Sequence, residues 1–161
     1  MLGHPHWAVI PDVIDGSVSE QQKLVKTWAF RKEFGAPVWH LGLSFEYLLE
    51  LSDNWPKVCL GSSGSFWKVG SLEWRNRMDD ALDYLMKHRT ALPWLHGLRM
   101  MAQIGKRWPL ASADSVNVAR NYKDYEEMPS RIAHRIDRIN GVTTFPRCTS
   151  NTKLDLGDML S

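Results

Sequence analysis

The sequence predicts an α/β fold with a parallel sheet, a partial (β/α) TIM-type barrel of about five strand-helix units. Three observations lead there. Five short apolar runs recur along the chain, helical stretches separate them, and every run ends in a polar or glycine-rich group. Apolar runs without alternation, bounded by turn residues, suit strands buried on both faces of a parallel sheet. Alternation of such strands with helices predicts right-handed crossovers within one sheet.

The first run is Trp7-Ala8-Val9-Ile10, closed by Pro11-Asp12. A helical stretch follows over 18–34, with Leu24 and Trp28 on its apolar side and Ser17 or Ser19 as cap. The second run, Pro37-Val38-Trp39, ends in His40. The stretch 44–51 opens on Ser44, a favoured N-cap residue. The third run, Lys57-Val58-Cys59-Leu60, ends in Gly61-Ser62-Ser63-Gly64. The clearest helix spans 71–87, where Trp74, Met78, Ala81, Leu82 and Leu85 fall on one stripe. The fourth run, Leu92-Pro93-Trp94-Leu95, ends in His96-Gly97, and a short helical segment over 100–108 follows. The fifth run, Leu110-Ala111-Ser112-Ala113, ends in Asp114. A last helix is expected over 129–140. The division is therefore a partial β/α domain over 1–140 and a polar tail over 141–161.

Strand ends favour the barrel over a doubly wound sheet. A barrel builds its site from several strand carboxyl ends at once, whereas a doubly wound sheet gathers such groups at one switch point. Here Asp12, His40, Ser62-Ser63, His96 and Asp114 close all five runs. A complete barrel takes about 250 residues, so about three units are expected from elsewhere.

Composition narrows the function classes. A net charge of +2 among 161 residues does not by itself indicate nucleic acid. The basic residues do gather in the second half, at Arg99, Lys106, Arg107, Arg120, Lys123, Arg131, Arg135 and Arg138. Cys59 and Cys148 stand far apart with no C-x-x-C pair, which speaks against zinc-ribbon or redox chemistry. The first residues lack the regions of a signal peptide, and no apolar run approaches the roughly 20 residues of a membrane span. A soluble cytoplasmic chain with reduced thiols is expected.

Several residues are candidates for chemistry. Asp114, after a small-residue strand and six residues before Arg120, suits a nucleophile or base, or equally a helix cap. Asp12 and Asp15 bracket a loop where a carboxylate can receive a ligand N–H or simply shape a turn. Gly61-Ser62-Ser63-Gly64 can cradle an anion or a base carbonyl, or serve as a tight loop. It matches neither a Walker loop nor G-x-G-x-x-G. His40, His96 and Asp114 together suggest a metal site, but His4-Pro5-His6 lies ahead of its strand, and no metal is expected. Of the eight tryptophans, Trp74 reads as core, while Trp39 and Trp67 read as stacking candidates.

Three segments carry a resemblance to a known family. They are Trp7 to Gly16; Pro37 to Leu41 with Leu60 to Gly64; and His96-Gly97-Leu98-Arg99 with Ser112 to Asn121. Over roughly residues 3–122 the chain resembles phage and prophage proteins related to tRNA-guanine transglycosylase, including enzymes that place 7-deazaguanine bases in phage DNA. The resemblance implies a pentosyltransferase of host-cell cytoplasm acting on DNA or tRNA and a guanine-like base, with no cofactor. Asp114, followed by Ala119-Arg120-Asn121, looks like the family's nucleophile. Asp12 is similar to the aspartate that reads the base, with Gly61, Ser62, Ser63, Gly64, His40 and His96 around the base. Arg99, Arg120 and Asn121 are implied as nucleic-acid contacts. Two family elements have no counterpart here. One is an earlier Asp-Ser/Asn-Gly motif bearing a second aspartate, and the other is the Cys-x-Cys-x-x-Cys zinc element. The expectation is the carboxyl-terminal part of such a barrel, completed by a homo-oligomer or an amino-terminal half. The alternative is a non-catalytic phage-derived binding or inhibitory protein that keeps the half barrel.

Overall fold

The computed structural model describes residues 6–115. The expected helix over 129–140, the tail, Arg120 and Asn121 lie outside them. Six short strands alternate with three helices: β1 (Ala8–Val9), α1 (Val18–Lys26), β2 (Gly35–Ala36), β3 (Val38–His40), α2 (Phe45–Asn54), β4 (Lys57–Gly61), α3 (Leu72–His88), β5 (Trp94–Gly97) and β6 (Ser112–Ala113).

Each helix starts where its cap dictates. Ser17 accepts from the Glu20 N–H while Glu20 reaches back to the Ser17 N–H, a complete capping box. Ser44 and Ser71 accept from the Tyr47 and Trp74 N–H groups. The first helix is shorter than its periodicity suggests. It stops at a Thr27 C-cap, and Trp28 turns back so that its indole lies against Gly35. A 3-10 turn (Lys32–Phe34) then leads into β2. The segment after β5 is likewise only a 3-10 turn (Met101–Gln103).

All strand pairs are parallel, and neighbours in sequence are neighbours in space. The predicted second strand is a single extended course, 35–40, interrupted at Pro37, which has no N–H to donate. Its first half pairs β1 and its second half pairs β4. The Ala36 carbonyl receives the Ile10 N–H at 2.9 Å and the Pro37 carbonyl receives the Cys59 N–H at 2.8 Å, joining the two ladders. The order is thus β1, β2/β3, β4, β5, β6, with no reversal among the described residues. β5 begins two residues later than the apolar run, at Trp94, because Pro93 cannot take part in the ladder.

Side-chain alternation divides the sheet into two faces. Trp39, Val58, Leu60 and Leu95 join Tyr47, Leu48, Leu51, Trp74, Met78 and Leu85 in the main core between sheet and helices. Trp39 is completely buried there, its Nε1 donating to the Ser44 carbonyl, so the sequence-based expectation of a stacking platform at Trp39 is corrected. Trp67 is exposed, as that role requires. The opposite face carries Ala36, Val38 and Cys59, with Trp7 and Leu98 packed on them. Trp7 also meets His96 edge-on at 5.0 Å. β1 and β5 are three strand spacings apart, about 14 Å in a flat sheet, so this contact curls the sheet toward the face away from the helices.

Among the described residues, no helix is long and apolar enough to cross a membrane. Leu85 is fully buried beneath α3. Leu85→Ala is expected to lower the unfolding free energy by about 2–5 kcal/mol, and exposed Phe30→Ser by less than about 0.5 kcal/mol; urea titration of both variants checks the contrast.

Candidate functional site

The curled face holds a row of residues fixed by register: Val38, Cys59, His96 and Ser112 lie side by side on β3, β4, β5 and β6. One pleat further toward the carboxyl ends stand His40, Gly61 and Asp114. Asp12 enters from the loop after β1. Four of the five strand-end groups predicted from sequence therefore share one rim with the Gly61–Gly64 segment.

Asp12 and His40 meet on this rim, Oδ2 to Nε2 at 2.6 Å, with the imidazole almost wholly buried. The loop bearing Asp12 is held by Gln21, which sequence reasoning did not single out. Its buried amide donates to the Val13 carbonyl and accepts from the Val13 N–H. Asp15 sits in the left-handed region at φ 59°, so at this residue the turn reading of the loop is the one observed. His40 Nδ1 is buried without a hydrogen-bond partner, close to Gly61. A Cβ at position 61 would lie 2.7 Å from that nitrogen, so glycine is required for the imidazole to take its place.

The Gly61–Gly64 segment is braced from both sides. Ser62 Oγ accepts from the Trp74 indole N–H at 2.8 Å, which ties the loop to α3. The Ser62 carbonyl accepts from the Arg99 guanidinium at 2.8 Å. Gly64, at φ 53°, opens a 3-10 turn that ends at Phe66. Ser62 and Ser63 are both buried.

Arg99 is also a left-handed residue, at φ 60°. Its backbone N–H donates to Asp114 Oδ1, and the Asp114 backbone N–H donates to the Gly97 carbonyl at 3.1 Å. Arg99, expected as a nucleic-acid contact, fastens the β4 loop to the end of β6. Asp114 is half exposed, and its other oxygen lies 3.9 Å from His96 Nε2. His96 Nδ1 bonds Ser112 Oγ at 2.8 Å. The helix-cap alternative for Asp114 concerns residues outside those described.

Cys59, on β4, is completely buried. Burial pushes its thiol up to about 12, and the negative charges of Asp114 and then Asp12 push in the same direction. The core position expected for Cys59 from its apolar run is the one observed. No group of three His, Cys, Asp or Glu side chains arranged for a metal occurs among the described residues.

No family model, curated protein or solved structure matches the chain.

Two expectations follow from this geometry. Gly61→Ala should displace His40, break its bond to Asp12 and cost about 1–3 kcal/mol of stability; loss of the bond is read from the imidazole proton resonances and the cost from thermal melts. Burial also holds His96 below its ordinary 6.5, and Asp114 offsets this only in part. The unfolded chain then takes up the proton first as pH falls, so native stability should decline below about pH 6.5 and be fully present above it. His96→Gln should flatten that slope in urea titrations run between pH 5 and about pH 8.

Proposed function

We propose that this chain performs base-exchange glycosyl transfer on nucleic acid, with Asp114 as nucleophile and Asp12 as the reader of a guanine-like base. The observation that carries the reading is the convergence of two carboxylates on one rim around Gly61–Gly64: Asp12, after β1, bonds His40 beside Gly61, and Asp114, after β6, is tied through Arg99 to Ser62. The resemblance to the transglycosylase-related phage proteins adds support at the same positions.

The chemistry suits these groups. A carboxylate oxygen of Asp114 attacks the ribose anomeric carbon, and the glycosidic C–N bond breaks with its electron pair leaving on the base nitrogen. The covalent glycosyl ester is then displaced by a nitrogen of the incoming base, through an oxocarbenium-like transition state in both directions. Asp114 is half exposed, and the Arg99 N–H holds one of its oxygens, leaving the other to face the rim. Asp12, bonded to His40 through one oxygen, keeps the second to accept ring N–H groups. The target base has to leave its stack to reach them. No cofactor enters these steps.

The finer fold reading belongs to the same proposal. Sequential parallel order and the curl toward the Trp7 face suit a partial TIM-type barrel, with the strand ends as its active face. Strands from a second copy or another segment would close it against β1 and β6. The second reading, a non-catalytic binding protein, draws on Arg99: a side chain spent on bracing the rim serves a scaffold as well as a catalyst.

Incubation with tRNA or duplex DNA and a guanine-like base should give a covalent protein–nucleic acid adduct on denaturing gels. Asp114→Asn should abolish the adduct while retaining binding, and Asp12→Asn should weaken base-dependent release of the adduct by about tenfold or more. Light scattering should give the mass of a dimer or larger complex. If no adduct forms with either nucleic acid, even with an added amino-terminal half, the transferase reading falls and the binding reading replaces it.

A further inference from the structure

At the opposite end of the strands from this rim, α1, α2 and the chain leading into β2 enclose a cleft of about 370 Å³. That volume falls within the range of small-molecule sites. Its lining comes from three places: α1 (Val25 and Lys26), α2 (Tyr47 and Leu51) and the turn after α1 (Trp28 and Lys32). None of these side chains contributes to the strand-end rim, so the cleft stands independently of the reading given above.

The aromatic wall is built rather than incidental. The Trp28 indole lies so close to Gly35 that a Cβ there would be 2.7 Å from its ring. Its Nε1 donates to the Arg31 carbonyl at 3.3 Å, and Phe30 meets the ring edge-on at 5.2 Å. Three independent contacts thus hold one indole at the surface in a single orientation. On the far side, Lys32 Nζ sits 5.3 Å from the centre of the Trp55 ring. That contact places an ammonium over the cleft, and Lys26 supplies a second cation to the lining. Among the described residues neither lysine has a carboxylate within ion-pair distance. Glu50, the cleft's acidic residue, accepts two hydrogen bonds from Gln22 and leaves the two lysines in excess over it. Tyr47, which also lines the cleft, is 2% exposed and its hydroxyl is buried with no hydrogen-bond partner. A buried polar group without a partner is unfavourable and is ordinarily satisfied by a ligand or water.

We infer that this cleft binds a nucleotide unit, its base against the Trp28–Phe30 wall and its phosphate between Lys26 and Lys32. A planar ring suits a fixed indole face, and a phosphate suits two unpaired ammonium groups. The Tyr47 hydroxyl is the group left to meet a polar edge of the base. An apolar ligand would leave both the cations and the hydroxyl unused, and a cation would meet two positive charges.

Guanosine monophosphate is the first probe, titrated against the full chain with tryptophan fluorescence and equilibrium dialysis as readouts. Saturable one-site binding with quenching is expected at or below millimolar dissociation constant. The Lys26→Glu, Lys32→Glu double variant, changed only at the surface, should bind at least about tenfold more weakly while melting like the parent. Trp28→Phe should lose most of the quenching. A short single-stranded oligonucleotide separates the two sources of the ligand: tighter binding than the mononucleotide assigns the cleft to a strand, and equal binding to a free nucleotide. The inference is overturned if neither probe saturates, or if the lysine variant binds both as the parent does. It is also overturned if Asp12→Asn removes the binding, since the probe then occupies the strand-end rim. That last outcome leaves the transferase reading standing, and a missing adduct in the earlier experiment leaves the cleft standing.

Discussion

The two ladders of this fold meet in residues 35–40. The segment pairs β1 with its first half and β4 with its second, and Pro37 sits at the changeover. Because Pro37 cannot donate, the ladder hands over from one neighbour to the other through two carbonyls, those of Ala36 and Pro37. The same segment fixes side-chain parity for the sheet. With Ala36, Val38 and His40 on the curled face, register forces Cys59, His96 and Ser112 there as well. A slip of one residue would turn the whole row over.

The rim is held by polar staples more than by apolar packing. The Asp12–His40 contact ties the first strand end to the second, Trp74–Ser62 ties the third to a helix, and Arg99 spans the third and the fifth. Arg99 does so from a left-handed backbone, a conformation that costs a non-glycine residue roughly 1–2 kcal/mol. The carboxylate of Asp114 and the carbonyl of Ser62 offset that strain with charge-assisted bonds.

Much of the architecture was legible in the residues. Apolar runs located the strands, serine caps set the starts of three helices, and the Trp74 to Leu85 stripe marked the helix that covers the core. What escaped depends on contacts between distant residues. A run such as Val38-Trp39-His40 does not say which face each residue takes, and so Trp39 was expected at a ligand when it lies in the core. The first helix stops at Lys26 because the indole of Trp28 docks on Gly35, a contact that helical periodicity does not contain. Asp12 and Asp114 were visible as strand-end carboxylates; that Arg99 ties Asp114 to the Ser62 loop was not. Gln21 looked like one more polar residue on a helix, and only the fold reveals it as the brace of the Asp12 loop.

The sequential strand order also has a bearing on synthesis. A protein emerges from the ribosome amino end first and tends to acquire structure as it does so. Here each strand needs only the next one to pair with, so most of the sheet can assemble while the chain is still growing. Among the described residues, Ser112 is the last to join the row of the curled face, with Asp114 just beyond it. Until then Arg99 lacks the carboxylate that receives its N–H, and the rim has one acid in place of two. A chain ended before β6 would keep most of the sheet yet lack the Asp114–Arg99 link, so the last tie of the rim rests on a single two-residue strand.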